Sequence, residues 1–482
     1  MIFTDIHYSV FLLVVLTATL TAQQLNSTNL RNALLLIASY IFYGWWDPRF
    51  LLLLALSSGV DFVVALVMDG RVKSCPEWLT RKRALIASIC VNLLVLGAFK
   101  YLNFFVDSAE ALLASMNIQV DRLYLSIVLP VGISFYTFQS MSYSIDVYHR
   151  RQRAERNAID FFLFVSFFPQ LVAGPIERAG NLLAQIKKTR PINRYEIRAG
   201  LELIAFGLVK KLLIADNLAR IVDEIFTADG VGALTLLFGV YAFAFQIYCD
   251  FSGYTDIARG SARLLGFRLR LNFHMPYFAA SPRDFWRRWH ISLSEWFRDY
   301  VYIPLGGRAD GYARTAFNVL LTMALCGLWH GAAWTFILWG IYHGALLAFS
   351  PRPAGLRKPH GRRLREFRIN WTRQRILMVI FTFHLVCFGW LIFRAENVGH
   401  LLTLLNNAWT LPTDLGLDFT DVRLFLILIS PLVAVELFSS ITAQRDMRQL
   451  KSHVRWGLVI IMFYVSLMGQ PSGLAPFIYF QF

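Results

Sequence analysis

Three histidines lie in apolar, aromatic-rich parts of the sequence, and they are the residues best suited to chemistry. His290 ends the run DFWRRWH, His330 lies in GLWHGAAW, and His343 lies in GIYHG. A histidine at membrane depth costs free energy unless it faces protein or water, so each is a candidate for a functional site. A neutral imidazole can take the proton from an alcohol as that alcohol attacks a thioester. The residues therefore predict a general base for hydroxyl chemistry.

The signatures of most other enzyme classes do not occur. The sequence contains no Walker loop, G-x-S-x-G elbow, H-E-x-x-H motif, Rossmann glycine fingerprint or EF-hand. The five cysteines are scattered, without a C-x-x-C pair or zinc spacing, so we predict no metal site. A transporter without chemistry is the alternative class of protein. A row of buried carboxylates or an inverted repeat would favour it, and the sequence shows neither.

The segment that contains His290 has a helical pattern. Polar and aromatic side chains recur at helical spacing over residues 284–300, which predicts one amphipathic interfacial helix. His290 belongs to the apolar face, so we expect its ring to point inward. A structural histidine that hydrogen-bonds a neighbouring carbonyl is an equally good interpretation.

The other two histidines are thirteen residues apart. On one continuous helix this spacing corresponds to a rise of about 20 Å and to nearly opposite faces. We therefore expect His330 and His343 not to share a site and one of them to be structural, although periodicity does not say which. Gly327 and Gly331 have the small-xxx-small spacing that lets another backbone approach closely.

The elements that position these residues are membrane helices. Of 482 residues 56% are hydrophobic and 16% charged, whereas an average soluble domain is about 25% charged. Apolar runs of bilayer length recur along the chain and predict about ten to twelve membrane elements. The net charge of +16 is attributed to cytoplasmic loops, and no basic face carries a motif that reads nucleic acid.

Loop charge predicts how the chain crosses the membrane. Acidic segments near 107–121, 216–229 and 414–421 are expected outside, and so is the N-terminus. The segment 161–180 lies between two basic clusters and is interrupted by prolines, which predicts a re-entrant element lining a cytoplasmic pocket, with a short span as the alternative. The basic clusters expected in the cytoplasm are 71–83, 150–156, 187–198, 352–375 and 445–455.

Further polar residues are weaker candidates for the site. Lys210 and Lys211 close an apolar run and are suited to the phosphates of a donor, or else they snorkel to the interface. Asp250 and Asp256 flank Ser252-Gly253-Tyr254, where they orient a polar network or form a helix cap or turn. Asn272 is a candidate to assist an oxyanion.

Several stretches resemble the membrane-bound O-acyltransferases, and specifically the bacterial branch with the alginate O-acetylation protein and the D-alanyl transferase of teichoic acid. The similarity spans about residues 85–345, and the closing FIYFQF (477–482) resembles the members that acetylate exopolysaccharides. The motifs that carry it are PVGISFYTFQSMSYSIDVY (130–148), FFPQLVAGPIERA (167–179), GLVKKLLIADNLA (207–219), FQIYCDFSGYTDIARGSARLLGF (245–267), DFWRRWHISLSEWFRDYVYIPLGG (284–307) and GLWHGAAWTFILWG (327–340).

This resemblance implies an all-helical ring of membrane elements around a funnel or tunnel, and it implies roles for the histidines. His330 would be the catalytic base, His290 a supporting catalytic residue, and His343 structural. The donor would be a cytoplasmic thioester, either acetyl-CoA or an acylated phosphopantetheine carrier, without a metal. We assign its binding to Trp329, Arg287, Arg288, Lys210, Lys211 and Asn272.

The same resemblance implies a multi-pass protein of the bacterial inner membrane that O-acetylates an extracellular polysaccharide of the alginate or cellulose type. The partner on the outer side would be a periplasmic SGNH-type acetyltransferase or the polysaccharide itself. D-alanyl or other acyl transfer from a carrier protein is the alternative. We predict one membrane domain over 1–482, with N-terminal helices (1–120), a catalytic core (121–350), a basic cytoplasmic loop (351–375) and C-terminal helices (376–482).

Overall fold

The computed structural model of the protein is helical throughout its described part. Most of the predicted basic loop 351–375 and residues 445–451 of the last basic cluster lie outside that part. The chain groups into two compact units, one of residues 1–204 and 254–270 and one of residues 205–253 and 271–482. The described residues are 3–72, 76, 78–118, 128–188, 190–308, 311–350, 369, 371–414, 416–442, 452–469 and 477–478.

The helices of the first unit begin at residues that can cap them. Asp5 accepts a hydrogen bond from the backbone N–H of His7, and Ser27 does the same for Leu30. The helices are α1 (Ile6–Gln24), α2 (Thr28–Gly44), α3 (Arg49–Met68), α4 (Arg81–Leu96), α5 (Leu102–Ser115), α6 (Ile133–Tyr148), α7 (Ala158–Ser166), α8 (Phe168–Leu171), α9 (Leu182–Ile186) and α10 (Arg194–Leu208). A π-helical turn, Gly97–Tyr101, joins α4 to α5.

A buried carboxylate ties three of these helices together. Asp61 of α3 is fully buried and accepts hydrogen bonds from Ser88 and Asn92 of α4 and from Ser144 of α6. The Asn92 and Ser144 bonds are both 2.9 Å long. A buried charge is tolerated only when it is hydrogen-bonded, and these three donors supply that. The unit therefore has a polar clamp inside its apolar core.

The segment 161–180 is interrupted as its prolines predict. After α7 and the single turn of α8, the backbone is not helical until α9. Phe161, Phe164 and Phe168 are all fully buried, and Gln170 donates a 2.9 Å hydrogen bond to Gln139. The irregular backbone is thus buried in protein, the condition under which it is tolerated at membrane depth. Entry and exit on the cytoplasmic side stay a prediction.

The second unit contains the three histidines. A π-helical segment, Val209–Ala215, leads from α10 into α11 (Asp216–Thr227), and α12 (Ala233–Leu264) follows. The later helices are α13 (Pro282–Trp286), α14 (Ile291–Phe297), α15 (Tyr312–His330), α16 (Trp334–Phe349), α17 (Arg373–Arg394), α18 (Val398–Thr410), α19 (Phe419–Thr442) and α20 (Ser452–Met468). A 3-10 turn at Pro276–Phe278 and a π-helical turn at Arg298–Tyr302 complete the described elements.

Six of the described helical segments are long and apolar enough to cross a membrane. They establish a multi-pass membrane protein, while the expected ten to twelve elements are not confirmed. The segments are Ile6–Gln24, Arg49–Met68, Arg81–Ser115, Ala233–Leu264, Arg373–Arg394 and Phe419–Thr442.

α15 and α16 form a closely packed helical hairpin. A Cβ atom added at Gly327 would lie 2.1 Å from the carbonyl oxygen of Phe336, and one at Gly340 would lie 2.2 Å from that of Met323. The predicted close approach at Gly327 is therefore confirmed, and the approaching backbone is that of the next helix. Gly331 faces the ring of Phe336, whose nearest atom would lie 2.1 Å from an added Cβ.

Candidate functional site

His290 lies in a break between two short helices. The single helix predicted over 284–300 is wrong: α13 ends at Trp286, α14 begins at Ile291, and the final turn of the segment is π-helical. The His290 backbone has φ 40° and ψ 57°, which is the left-handed region. This conformation costs roughly 1–2 kcal/mol for a residue with a Cβ, so neighbouring contacts must hold it.

Hydrogen bonds on both sides hold this break in place. Asn272 accepts the backbone N–H of Ile291 with its carbonyl oxygen at 2.9 Å. Its side-chain Oδ1 accepts the N–H and the Oγ–H of Ser292 at 3.2 and 2.9 Å. Before the histidine, the N–H of His274 donates to the carbonyl oxygen of Arg288 at 2.9 Å. Residues 272 and 274 are thus hydrogen-bonded to residues that flank His290 on both sides.

The imidazole of His290 is fully buried, so the expected inward orientation is confirmed. Its ring centroid lies 4.7 Å from that of Phe251 and 6.3 Å from that of Phe273. Burial lowers the pKa of His290 to about 3. The imidazole is therefore neutral at physiological pH, the form in which it accepts a proton.

His330 ends α15 and meets His290. The two ring centroids are 6.4 Å apart, and His330 is also buried. Trp329 lies beside both rings, at 5.9 Å from His290 and 5.0 Å from His330. The indole of Trp339 packs edge-on against His330 at 5.0 Å. Two buried imidazoles thus share one aromatic environment.

The continuous helix assumed between His330 and His343 is wrong: α15 ends at His330 and α16 begins at Trp334, so the chain reverses between the two histidines. That the two histidines do not share a site stays a prediction. The ring of Trp339 lies 5.0 Å from that of His330 and 4.9 Å from that of His343. His343 is fully buried among Trp286, Trp339 and Phe285, all within 6.1 Å of its ring centroid. Its structural role stays a prediction.

The predicted donor contacts of the R-R-W-H motif differ in accessibility. Arg287 is exposed, whereas Arg288 is buried and donates from Nε to the carboxylate of Asp284 at 2.9 Å. Trp329 is buried next to the histidine pair. Of the two arginines of this motif, Arg287 is thus the one with an exposed side chain.

The lysine pair does not snorkel, and that interpretation is wrong because both side chains are buried. The Lys210 ammonium lies 4.7 Å from the ring centroid of Phe206. The Lys211 ammonium lies 2.7 Å from both Asp216 and Asp250. Its charge is therefore balanced inside the protein.

The helix-cap interpretation of Asp250 and Asp256 is also wrong, because both lie inside α12. Asp256 forms an ion pair with Arg259 at 2.8 Å. Asp250 belongs to a polar network, as the other interpretation proposed: it pairs with Lys211, and its Oδ2 accepts the backbone N–H of Ile478 at 2.7 Å. The adjacent Phe477 packs edge-on against Phe251 at 5.8 Å.

Sequence reasoning missed three contributors to the site. Phe251 packs on His290, Trp339 packs against both His330 and His343, and Ser292 donates a hydrogen bond to Asn272. Trp339 has a usable signal, since it lies one turn before His343 in the same glycine-rich run. The Ser292 contact has none, because it depends on a backbone break that helical periodicity conceals.

The described part of the chain contains no group of three His, Cys, Asp or Glu side chains that could hold a metal ion. The fold and the site therefore define a multi-pass membrane protein with a pair of buried, adjacent histidines.

Comparison with known proteins agrees with this class. Residues 149–391 match the model of MBOAT, the membrane-bound O-acyltransferase family. The chain is 42% identical over 396 residues to the probable alginate O-acetylase of Azotobacter vinelandii, covering 81% of this chain and 75% of the relative. The chain belongs to the membrane-bound O-acyltransferase family. It is an acyltransferase that works in a lipid bilayer and uses an acyl donor.

Two further relatives carry other names. The peptidoglycan O-acetyltransferase of Helicobacter pylori is 34% identical over 398 residues, covering 77% of this chain and 72% of the relative. The teichoic acid D-alanyltransferase of Bacillus subtilis is 28% identical over 282 residues, covering 56% of this chain and 70% of the relative. The names of the three relatives describe acetyl or D-alanyl transfer to alginate, peptidoglycan or teichoic acid.

Proposed function

We propose that this protein moves an acetyl group from a cytoplasmic thioester across the bacterial inner membrane for O-acetylation of an extracellular polysaccharide. The observation that carries the proposal is the buried pair His290 and His330, 6.4 Å apart between ring centroids, in a chain similar to a probable alginate O-acetylase. The polymer proposed is an exopolysaccharide of the alginate or cellulose type.

The proposed reaction uses His330 as the general base. The acceptor hydroxyl oxygen attacks the thioester carbonyl carbon while its proton passes to the His330 imidazole. The tetrahedral intermediate then breaks its carbon–sulfur bond, and the leaving thiolate takes the proton back. General-base assistance of this kind contributes roughly 10²–10⁴-fold in rate. His290, neutral because it is buried, supports the reacting groups from the other side.

The donor side of the proposal is acetyl-CoA or an acylated phosphopantetheine carrier. Arg287 is exposed and suited to a phosphate, and Trp329 borders both histidines. Asn272 lies next to the His290 break. Lys210, Lys211 and Arg288 are buried, and carboxylates already engage the last two, which weakens their assignment to a donor.

The remaining parts of the proposal concern the surroundings of the enzyme. We propose ten to twelve membrane elements in a ring around a funnel, as the family resemblance implies. On the outer side the acetyl group would pass to a periplasmic SGNH-type acetyltransferase, which modifies the polysaccharide. His343 is proposed to be structural.

Replacement of the proposed base tests the function. His330→Ala should be inserted in the membrane at the wild-type level but should support no acetylation of the polymer. The measurement is the acetyl-ester content of the secreted polysaccharide by NMR, divided by the amount of protein in the membrane. His400→Ala, at a half-buried histidine in the first turn of α18, is the matched control and should acetylate normally. Normal acetyl content with His330→Ala would exclude the proposed base.

D-alanyl transfer is the second candidate, and the similarity to a teichoic acid D-alanyltransferase favours it. The two donors are separated by supplying purified protein in vesicles with labelled acetyl-CoA or with a labelled D-alanyl carrier protein. We expect the label to pass from acetyl-CoA to the acceptor polysaccharide. Transfer from the carrier alone would establish the second candidate, and movement of an intact donor without thioester cleavage would establish a transporter.

A further inference from the structure

The backbone at His290 is held in the left-handed conformation, which is unfavourable for a residue with a Cβ. Five described residues other than glycine have positive φ, and two of them, Met275 and His290, lie next to residues that are hydrogen-bonded across the break. Strained backbone persists only where surrounding contacts over-determine it, and it concentrates at functional sites. The contacts that impose the conformation of His290 are therefore of interest for the reaction.

Most of these contacts come from one residue, Asn272. It is fully buried and accepts three hydrogen bonds from the two residues that follow His290. One goes to its backbone oxygen, and two go to the side-chain oxygen Oδ1. Because Oδ1 accepts from the N–H and Oγ–H of Ser292, the orientation of the carboxamide is defined.

The hydrogen bonds to Asn272 set the direction in which the His290 ring points. With φ 40° and ψ 57°, its Cβ leaves the chain at an angle that a helical residue at position 290 would not have. The ring then lies 4.7 Å from Phe251 and 6.4 Å from His330. If the break relaxed into continuous helix, the ring would leave this position.

We propose that Asn272 is a positioning residue, which holds His290 in the left-handed conformation so that its imidazole faces His330. The inference rests on the proposed function of the histidine pair. Asn272 acts in this role through the acceptor Oδ1 and not through its amide N–H. It therefore differs from a residue that donates to an oxyanion.

Two substitutions at the same position separate acceptor from donor. Asn272→Ala removes Oδ1 and should lower polymer acetylation per membrane-inserted molecule at least about tenfold, because misplacing a reacting group by about 1 Å costs up to about 10²-fold. Asn272→Asp keeps an oxygen for Ser292 and replaces the amide donor with a second carboxyl oxygen. It should restore acetylation to within about threefold of wild type. A role in folding alone would not show this rescue once acetylation is divided by the amount of folded protein.

A second buried asparagine provides the matched control. Asn318 of α15 is also buried, and its Nδ2 donates to the carbonyl oxygens of Leu305 and Gly307 at 3.1 and 3.3 Å. Asn318→Ala should lower the thermal midpoint by a similar amount, since it also removes buried hydrogen bonds. Its acetylation per folded molecule should stay within about twofold of wild type.

Each result decides the question. Wild-type acetylation by Asn272→Ala overturns the proposal, and so does an Asn272→Asp variant as inactive as Asn272→Ala, which would assign the amide donor to catalysis. If Asn272→Ala does not fold, Ser292→Ala and Ser292→Thr replace the pair: the first loses the Oγ–H donor and should lose acetylation, while the second keeps it. Equal activity of those two variants would contradict the positioning of His290 by Asn272. If His330→Ala also acetylates normally, the proposed function itself has failed.

Discussion

His343 lies against the backbone of α17, with no room for a methyl group between them. A Cβ atom added at Gly389 would lie 2.6 Å from Nε2 of His343. Gly389→Ala should therefore destabilise the protein by about 1–3 kcal/mol through overpacking. His343→Ala should cost about 2–4 kcal/mol through the cavity that it leaves. Thermal unfolding of the purified protein in detergent measures both.

The double variant tests whether the two positions share one space. In His343→Ala with Gly389→Ala, the new methyl group partly fills the cavity, so the combined loss should be smaller than the sum of the single losses. Gly457→Ala is the control, because nothing lies within 4 Å of an added Cβ there. The single variant His343→Ala should keep its acetylation per folded molecule. Loss of activity in that folded variant would contradict a structural His343.

Glu177 makes the stability of the protein depend on pH. This carboxyl is fully buried outside the six candidate spans, and burial raises its pKa from 4.5 to about 7. Its oxygens accept the N–H of Arg270 and the Nδ2 amide of Asn181, both at 2.6 Å. Between pH 4.5 and 7 the folded protein binds more protons at this group than the unfolded chain does. Stability is therefore full below pH 4.5 and falls as the pH rises through about 7, by at most about 1.4 kcal/mol per pH unit.

The variant Glu177→Gln removes this titration. The thermal midpoint of the wild type should fall from pH 5 to pH 7.5 more steeply than that of Glu177→Gln, measured in the same detergent and salt. Parallel slopes for the two proteins would show that Glu177 ionises at its ordinary pKa. The same group would then have to be solvated in the folded state.

The contact between the π-helical segment 209–215 and α12 depends on Lys211. Gly253 of α12 lets the end of α10 and the π-helical segment approach, since an added Cβ would lie 2.8 Å from the carbonyl oxygen of Gly207 and 3.1 Å from the backbone nitrogen of Lys211. Lys211 then bridges Asp216 and Asp250. Lys211→Met leaves two buried carboxylates without their cation and should cost about 3–5 kcal/mol.

An exposed ion pair of the same unit is the control for Lys211→Met. Arg220 pairs with Asp421 at 3.1 Å, and its side chain is 63% exposed. Arg220→Met should cost at most about 1 kcal/mol. Thermal unfolding compares the two variants. An equally small loss for Lys211→Met would mean that water reaches the buried pair.

The sequence predicts an element when residues within that element determine its structure, and it fails when contacts with distant residues do. The helices α13 and α14 appear in the pattern of 284–300, but the break between them does not, because no proline or glycine lies at residues 287–290. Its cause is Asn272, far from His290 in sequence. The reversal at 331–333 is similar: Gly331 is visible, but the pairing of Gly327 with Phe336 requires the folded hairpin. Long-range contacts therefore placed His290 and His343.

The charge of the loops predicts a membrane topology that cysteine labelling can test. The predicted cytoplasmic cluster 150–156 includes exposed Arg151, and the predicted outer segment 216–229 includes exposed Asp229. In a cysteine-free background, Asp229→Cys should react with a membrane-impermeant maleimide in intact cells. Arg151→Cys should react only after the inner membrane is permeabilised. The reverse pattern would invert the orientation and place the proposed donor on the wrong side.

Composition was sufficient for the class of protein, because bilayer-length apolar runs have few alternatives. It was insufficient for the number of spans, since the described helix α16 is apolar but only 16 residues long. The histidines were found because polar side chains are conspicuous in apolar sequence. Their mutual geometry was not found, because distance between residues is a property of packing.

The close packing of α15 against α16 also affects how a mutational survey of this enzyme should be interpreted. A Cβ atom added at Gly327 or Gly340 would lie 2.1 or 2.2 Å from a backbone carbonyl oxygen of the facing helix. In a saturation-mutagenesis library selected for acetylation, these positions will tolerate almost no substitution, although a glycine presents no side chain to a substrate. Scoring the same library for abundance in the membrane will assign the glycines to folding. Positions that lose activity at normal abundance will then outline the reacting groups.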